Sequence, residues 1–359
     1  MSRRLAFAAG WVAVFATAGF QSPYAGNAAT PGPNVTITIT SLKSFGRGAE
    51  AMAVNDAGTI IAGHAWDRQG LLHAVRWTLQ NDGSWAFTPL LRPAGATSAI
   101  ARGVNARGDV AGNDFPASTS RALLWPHPQS QATPLGCATD LGAVAVYGIS
   151  GAAQTVVGTL RGGTAASWTP GHCREDLPPL VAGGFATAIA VSGDGTIIGG
   201  ASSVAQGYVP VRWTKVAAEW IVEQLDARAG IVYGANSGGD LAGVVDVLPC
   251  ASSTGCQRAT VWSAGGTPPL DLGTLGGEDS WARDINGSGE VVGGSTSSRG
   301  TNTGYFWSAS TGMLALPFKG RWAAANALSD VRPDGTRVAV GMDSGGTPVV
   351  WIVRVGDGT

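Results

Sequence analysis

The stretch LDLGTLGGEDSWARDINGSGEVVGGSTSSRGTNTGYFWSASTG, residues 270–312, decides the fold. Short apolar runs alternate in it with turns rich in Gly, Asn and Ser, and three aromatic residues ending at Trp307 close the last run. Gly and Asn tolerate the backbone angles of tight turns between paired strands. The alternation therefore predicts four strands, over 269–275, 280–286, 290–297 and 303–309.

The same unit recurs along the chain. Its core reads A-x-x-[VI]-[NS]-x-x-G-x-[VI]-x-G, followed after a variable gap by an apolar pair and Trp. Seven copies are recognisable, and a period in the forties is typical of a repeat architecture. Their closing tryptophans, 43 to 49 residues apart, are Trp77, Trp125, Trp168, Trp213, Trp262, Trp307 and Trp351.

Seven units of four antiparallel strands predict an all-β fold, a seven-bladed β-propeller whose closed ring hides the sheet edges. An open β-solenoid is the alternative. The segment VTITITSL (35–42) supplies the first strand of blade one, or it pairs with VVWIVRV (349–355) as a closing clasp; the sequence leaves both open. The predicted blades span 35–79, 85–127, 132–170, 175–215, 219–264, 268–309 and 312–355.

Composition excludes some partners. The chain has 359 residues, a formal net charge of −1 and only 13% charged residues, with 54 Gly. Nucleic acids and anionic membranes attract proteins through clustered positive charge. We therefore expect no nucleic-acid partner.

The N-terminus has the pattern of a signal peptide. Arg3 and Arg4 precede an apolar run over 5–20, and small residues follow it. The run is short for a membrane span, although an uncleaved anchor is the alternative. We predict a signal peptide and short linker over 1–29, a single propeller domain over 30–359, secreted or periplasmic location, and no membrane span in the mature chain.

Four cysteines fit this export, because an even count in an exported chain favours disulfides. Cys250 and Cys256 close a small loop, so we predict that they pair, which leaves Cys137 with Cys173. A zinc site is the weaker interpretation, because the chain lacks a C-x-x-C motif and its four His are scattered.

The pattern D-L-G-T-L-G-G-x-x-S-x-A-x-x-I-N-x-x-G-x-V-V-G-x-S over 271–295, with its apolar–Trp tail, resembles the "probable extracellular repeat, HAF family". The segment HAVRW, residues 73–77, is similar to the His-Ala-Phe signature of that family. The other copies match more loosely and mostly lack the His, but together they cover 35–355. The resemblance implies an exported bacterial repeat protein, and it implies no activity.

Sites for chemistry are scarce. The chain has no P-loop, G-x-S-x-G or H-E-x-x-H motif, and its Gly-rich turns lack the spacing of a nucleotide loop. Calcium needs six to eight oxygens around one point. Each acidic turn offers one or two, so we expect no metal. Because the catalytic and nucleotide-binding motifs are missing, we also expect no cofactor and no catalytic residue. The acidic turn residues are Asp56, Asp109, Asp194, Asp240, Glu290 and Asp334.

The variable loops before and after the core strands fall on one face of the predicted ring. Exposed aromatic and polar side chains on loops are typical of ligand sites. We predict a ligand-binding set there, with packing between blades as the alternative for Trp281 and Trp322. The set comprises Trp66, Trp281, Trp322, His64, Arg283 and Arg321.

The sequence thus favours a secreted, non-catalytic protein that binds a glycan or another macromolecule, such as a protein, through its loop-rich face. The alternative is a propeller glycoside hydrolase or polysaccharide lyase with catalytic groups at the channel. Its candidates share one repeat position, which holds Arg102, Tyr147, Tyr233 and Arg283. A purely structural surface protein is the third hypothesis.

Overall fold

The computed structural model describes residues 35–115, 120–137, 144–151, 154–248 and 256–356. These residues form 28 β-strands and no helix, so none of them forms a helix that could cross a membrane. The predicted signal segment over 1–29 lies outside them.

The first fourteen strands in chain order are β1 (Val35–Ser41), β2 (Ala49–Val54), β3 (Ile60–Trp66), β4 (Leu72–Leu79), β5 (Trp85–Pro89), β6 (Ser98–Val104), β7 (Val110–Phe115), β8 (Ala122–Trp125), β9 (Thr133–Pro134), β10 (Val144–Ile149), β11 (Val156–Leu160), β12 (Thr164–Trp168), β13 (Glu175–Asp176) and β14 (Ala186–Val191). The remaining strands are β15 (Ile197–Val204), β16 (Gly207–Val216), β17 (Glu219–Gln224), β18 (Gly230–Ala235), β19 (Leu241–Val247), β20 (Cys256–Trp262), β21 (Leu270–Asp271), β22 (Gly276–Ile285), β23 (Val291–Ser297), β24 (Asn302–Ser308), β25 (Gly312–Ala315), β26 (Ala323–Leu328), β27 (Thr336–Asp343) and β28 (Pro348–Val355).

The strands form seven four-stranded antiparallel sheets, which confirms the predicted seven-bladed β-propeller. Six sheets are contiguous in sequence: β2–β5, β6–β9, β10–β13, β14–β17, β18–β21 and β22–β25. The seventh joins β26, β27 and β28 with β1. We call the first strand of each sheet, from β2 to β26, the inner strand, because these strands line a common channel.

The repeated tryptophans occupy equivalent places, as the sequence predicts. Each lies on the third strand of its sheet and faces an aliphatic residue of the second strand, as Trp77 faces Ile61 and Trp213 faces Ile198. Burying such a ring removes a large apolar area from water. Four indole N–H groups donate to a backbone carbonyl 34 or 35 residues earlier: Trp77 to Lys43, Trp125 to Leu91, Trp213 to Pro178 and Trp351 to Pro317.

The predicted turns follow the inner strands. The Asn105 side-chain oxygen accepts hydrogen bonds from the backbone N–H groups of Arg107 (3.1 Å) and Asp109 (2.9 Å). Gly108 has a φ of +86°, where a Cβ would be strained. The Ser192 hydroxyl serves the same repeat position in the fourth sheet, accepting from the N–H of Ile197 at 3.0 Å. Either Asn or Ser can therefore occupy this repeat position, because the side-chain oxygen of each closes the turn.

The ring is closed by the N-terminal strand. Strand β1 pairs with β28 in an unbroken register from Val35 opposite Val355 to Ser41 opposite Val349. Of the two arrangements left open by the sequence, the clasp is the one observed. It joins the two ends of the propeller in one sheet, which excludes an open solenoid.

The same pairing corrects the predicted blade ranges, which begin one strand too early. Strand β5 (85–89) was predicted to start blade two, yet Trp85 pairs with Leu79 in the sheet of β4. Each such strand is the outer strand of the preceding sheet, and a loop then leads to the next inner strand. The observed sheets therefore span 49–89, 98–134, 144–176, 186–224, 230–271, 276–315, and 323–355 with 35–41.

The core lies between neighbouring sheets as seven apolar clusters. In one of them, Ile61 and Trp77 of the first sheet pack against Val338 and Val350 of the seventh. Antiparallel order places the loops at two faces. The loop face carries the loops between second and third strands and those from outer to next inner strands, and the turn face carries the others.

Candidate functional site

The seven inner strands wall a central channel that holds about 180 Å³ of open space. In every inner strand the ladder to the second strand skips one residue at the same repeat position. Such a β-bulge re-aims a side chain, and all seven skipped residues line the channel. We call them the bulge ring; in order around the channel they are Met52, Arg102, Tyr147, Ile189, Tyr233, Arg283 and Asn326.

Two arginine–tyrosine pairs dominate the bulge ring. The Arg102 guanidinium carbon lies 5.7 Å from the centre of the Tyr147 ring, and that of Arg283 lies 4.7 Å from the Tyr233 ring. Cations at these distances are attracted to the face of an aromatic ring. Within the described part of the chain, neither guanidinium forms an ion pair or a hydrogen bond.

Glu50, two residues before the bulge ring, is the carboxyl on which both arginines act. The Asn326 amide donates to it at 3.1 Å, and Nε2 of His64 lies 3.6 Å from it. Burial raises the pKa of Glu50, while Asn326 and the two guanidinium charges oppose that shift. Burial also lowers the pKa of His64 to about 3, with Arg102 acting in the same direction, so the imidazole is neutral.

Carboxyl groups gather toward the turn-face end of the channel. Asp284 accepts hydrogen bonds from the backbone N–H groups of Leu328 and Ile285, both at 2.9 Å. Burial raises the pKa of Asp284 from 3.8 to about 7, and the negative charges of Asp56 and Asp330 add to the rise. All three residues line the channel. The channel is therefore bipolar, with cations at the bulge ring and acids toward one mouth.

Of the six predicted ligand residues, only Arg283 lines this channel. Trp281 packs against Gly294, where an added Cβ would lie 2.4 Å from the indole ring. The same pair of repeat positions holds Glu50 and His64 in the first sheet. The Trp66 and His64 rings are nearly perpendicular, with centroids 5.0 Å apart.

The last two predicted residues, Arg321 and Trp322, lie on a loop that leads into β26. Their backbone is tied to the neighbouring loop, because Arg321 N–H donates to the Ser344 hydroxyl at 2.8 Å and Ser344 N–H donates to the Trp322 carbonyl at 2.9 Å. Both side chains are exposed, Trp322 by 36%. The six residues thus fall into separate places instead of forming one site.

The enzyme hypothesis required a carboxylate within hydrogen-bonding range of the bulge-ring candidates. The four candidates converge on the channel, but among the described residues none of them forms a hydrogen bond to a carboxylate. Burial raises the pKa of Tyr147, against the opposing effect of Arg102. A tyrosine base would need the reverse shift.

The predicted disulfide between Cys137 and Cys173 is present, with Cα atoms 4.8 Å apart. It joins the loop after β9 to the turn before β13 and so ties two neighbouring sheets together. A disulfide is compatible with an extracytoplasmic location. For the other predicted pair, Cys256 lies on β20 and Cys250 lies outside the described residues.

Two of the acidic turn residues are held by other side chains of the chain. The Glu290 carboxylate pairs with Arg337 of the next sheet at 2.6 Å, and Asp109 accepts hydrogen bonds from Asn105 and Gln154. In the described ranges, no three His, Cys, Asp or Glu side chains are grouped as metal ligands.

Sequence reasoning missed Glu50, Asn326 and Asp284. One signal was available for Asp284, because the six other sheets have only Ala or Gly in its column. Those small residues let inner strands approach closely; a Cβ on Gly234 would lie 2.7 Å from the Cα of Asp284. The position of Glu50 depends on its pairing with His64, which only the register reveals.

No family model matches the chain, and no curated protein matches it. The resemblance to the HAF family therefore stays a prediction. Several solved structures are similar to the chain in fold. U3-55K is 13% identical, with a TM-score of 0.55, covering 90% of this chain and 100% of its own.

The β-propeller domain of the Trilobed protease from Pyrococcus furiosus is 11% identical, with a TM-score of 0.52, covering 87% of this chain and 96% of its own. That domain is described as having an open velcro topology, whereas here β1 pairs with β28. The propeller domain of Cps50 (Swd1) from Myceliophteria thermophila is 13% identical, with a TM-score of 0.49, covering 88% and 99%. At these identities the similarity shows the fold alone.

Proposed function

We propose that the chain is an exported, non-catalytic binding protein whose loop face takes a macromolecular ligand. Propeller scaffolds host many unrelated functions, so the proposal has to come from the surface. Binding residues commonly sit on loops that a rigid scaffold holds in place.

The observation that carries the proposal is the asymmetry of exposed apolar side chains. Among the described residues, six large apolar side chains stand exposed on loop-face segments, whereas the opposite face has Val331 in a turn and Val216 at the end of β16. Single exposed apolar side chains are ordinary, but their concentration on one face of the ring favours that face as the interaction surface. The six are Leu71, Leu91, Val181, Phe185, Leu248 and Trp322, with Leu248 exposed by 80%.

Their chemistry favours a protein over a glycan. Four of the six are aliphatic and only Phe185 and Trp322 are aromatic, whereas a sugar surface would use flat aromatic rings beside hydrogen-bonding groups. A glycan remains an outcome that the test can return. The hydrolase or lyase alternative receives less support, because the channel tyrosines and arginines lack a bonded carboxylate among the described residues.

An array experiment tests this proposal. The purified chain would be applied to arrays of exported proteins and of glycans, beside a triple variant carrying Leu91→Ser, Phe185→Ser and Leu248→Ser. The matched control carries Val216→Ser, Ile221→Ser and Leu270→Ser, which remove exposed apolar side chains from β16, β17 and β21, outside the loop face.

We expect the parent and the control to bind a protein on the array, and the loop-face variant to lose at least tenfold in affinity. Equal binding by both variants, or no ligand on either array, would overturn the proposal. Binding to a glycan alone would replace the protein by a sugar. Cleavage of an arrayed polysaccharide would establish the enzyme alternative.

A further inference from the structure

The geometry points to a second site, an anion site at the bulge ring in which Arg102 and Arg283 hold a monocarboxylate. It is separate from the loop-face surface of the proposed function, because it lies inside the channel and takes a small group.

Within the described residues, neither Arg102 nor Arg283 forms an ion pair. Both guanidinium charges act on Glu50, and that carboxyl accepts a hydrogen bond from the Asn326 amide at 3.1 Å. Burial favours the neutral form of that carboxyl by raising the pKa of Glu50. Two cations facing one narrow channel repel each other, so a bound anion would relieve the repulsion.

The tyrosine rings leave guanidinium N–H groups available for a ligand. Each guanidinium carbon lies over its tyrosine ring, and among the described residues none of its N–H donors forms a hydrogen bond. Planar forks of this kind match the two oxygens of a carboxylate. Between the two tyrosines the ring carries Ile189, so an apolar wall is available for the carbon atoms of the ligand.

The channel sets the size and the charge of the ligand. About 180 Å³ is smaller than an ordinary drug-sized pocket of about 300 Å³ or more, so it suits a small acid or the acidic end of a larger molecule. Arg283 is exposed and therefore reachable from solvent. Asp56, Asp284 and Asp330 lie further along the same channel and disfavour a second negative charge. A monocarboxylate therefore fits better than a phosphate or sulfate dianion.

Calorimetric titration with acetate, D-glucuronate and inorganic sulfate tests the site, with glucose as the uncharged control. We expect acetate and glucuronate to bind the parent, glucose not to bind, and sulfate to bind more weakly than acetate. Arg102→Gln and Arg283→Gln should each weaken carboxylate binding at least tenfold. Arg354→Gln, which removes an exposed positive charge on β28, should leave it unchanged.

Two further measurements test the site without the arginine variants, in case those variants misfold. Tyr147→Phe and Tyr233→Phe retain the ring faces, so they should retain binding. In the parent, added salt should weaken acetate binding because it screens the guanidinium charges. The proposal fails if no carboxylate binds, if sulfate binds more tightly than acetate, or if the arginine variants bind like the parent. Carboxylate binding by a chain that finds no array ligand would sink the proposed function and leave this site standing.

Discussion

The third strands keep one residue type at their repeated position, whereas the inner strands vary theirs. One column of the third strands holds Trp in all seven sheets, whereas the bulge ring holds five residue types at seven equivalent positions. The indole column fills the space between neighbouring sheets, so packing fixes its identity. The bulge ring faces a channel, where packing constrains side chains less. Repetition thus marks the scaffold, and departure from repetition marks the candidate site.

The largest expected effect lies in the repeating column. Trp213 is fully buried and its N–H donates to the Pro178 carbonyl at 2.7 Å. Trp213→Ala should lower the free energy of unfolding by about 3–5 kcal/mol, because it leaves a cavity and an unpaired carbonyl. Chemical denaturation measures it. Leu248→Ala, at a side chain exposed by 80% outside the column, is the control and should change stability by less than about 0.5 kcal/mol. Similar losses in the two variants would break the comparison.

Asp284 gives the next effect, because a carboxyl stands where the other sheets have Ala or Gly. Its pKa rises from 3.8 to about 7 on folding. Between these values the unfolded chain releases the proton and the folded chain keeps it, so stability is lost as the pH rises toward 7.

Asp284→Ala restores the common residue type of the column and removes this titration. Between about pH 5 and about pH 8 the parent should lose on the order of 2 kcal/mol more stability than the variant. Urea unfolding of both chains at the two pH values measures the difference. Parallel pH profiles would show that Asp284 ionises in the folded protein as it does in the unfolded chain.

A smaller effect separates two members of the tryptophan column. Trp262 is 3% exposed, yet its indole N–H has no hydrogen-bond partner among the described residues. Trp213→Phe should therefore cost about 1 kcal/mol more than Trp262→Phe, because only the first breaks a buried hydrogen bond. Denaturation of the two variants beside the parent gives the difference. Equal costs would mean that the hydrogen bond to Pro178 contributes nothing beyond the packing of the ring.

The fold was predictable because its signals repeat. The Trp spacing and the Asn–Gly turns, as at Asn105 and Gly108, gave seven copies and four strands in each. The grouping of strands was not predictable, because a strand such as β5 (85–89) can pair with the sheet before it or after it. Pairing partners depend on contacts that are distant in sequence, and only the register shows them.

The site was predictable in part. The repeat position of Arg102, Tyr147, Tyr233 and Arg283 stood out in the sequence because its residue type varies. That these side chains face the channel depends on the β-bulge, where two residues oppose one across the ladder. Nothing local in the sequence announces that extra residue. The contact of Trp281 with Gly294 could not be predicted for a similar reason, because it joins two neighbouring strands.

The smallest expected effect lies in the bulge ring itself. Arg283 is exposed, and its described contact is the face of the Tyr233 ring at 4.7 Å. Exposed cation–π contacts contribute about 0.5–1 kcal/mol, and removing one of two facing cations returns part of that energy. Arg283→Gln should therefore change the free energy of unfolding by less than about 0.5 kcal/mol. Chemical denaturation at low salt measures it, with Arg354→Gln as the charge-matched control. A loss approaching that of Trp213→Ala would make Arg283 part of the scaffold, and the irregular column would then owe its residues to packing rather than to a ligand.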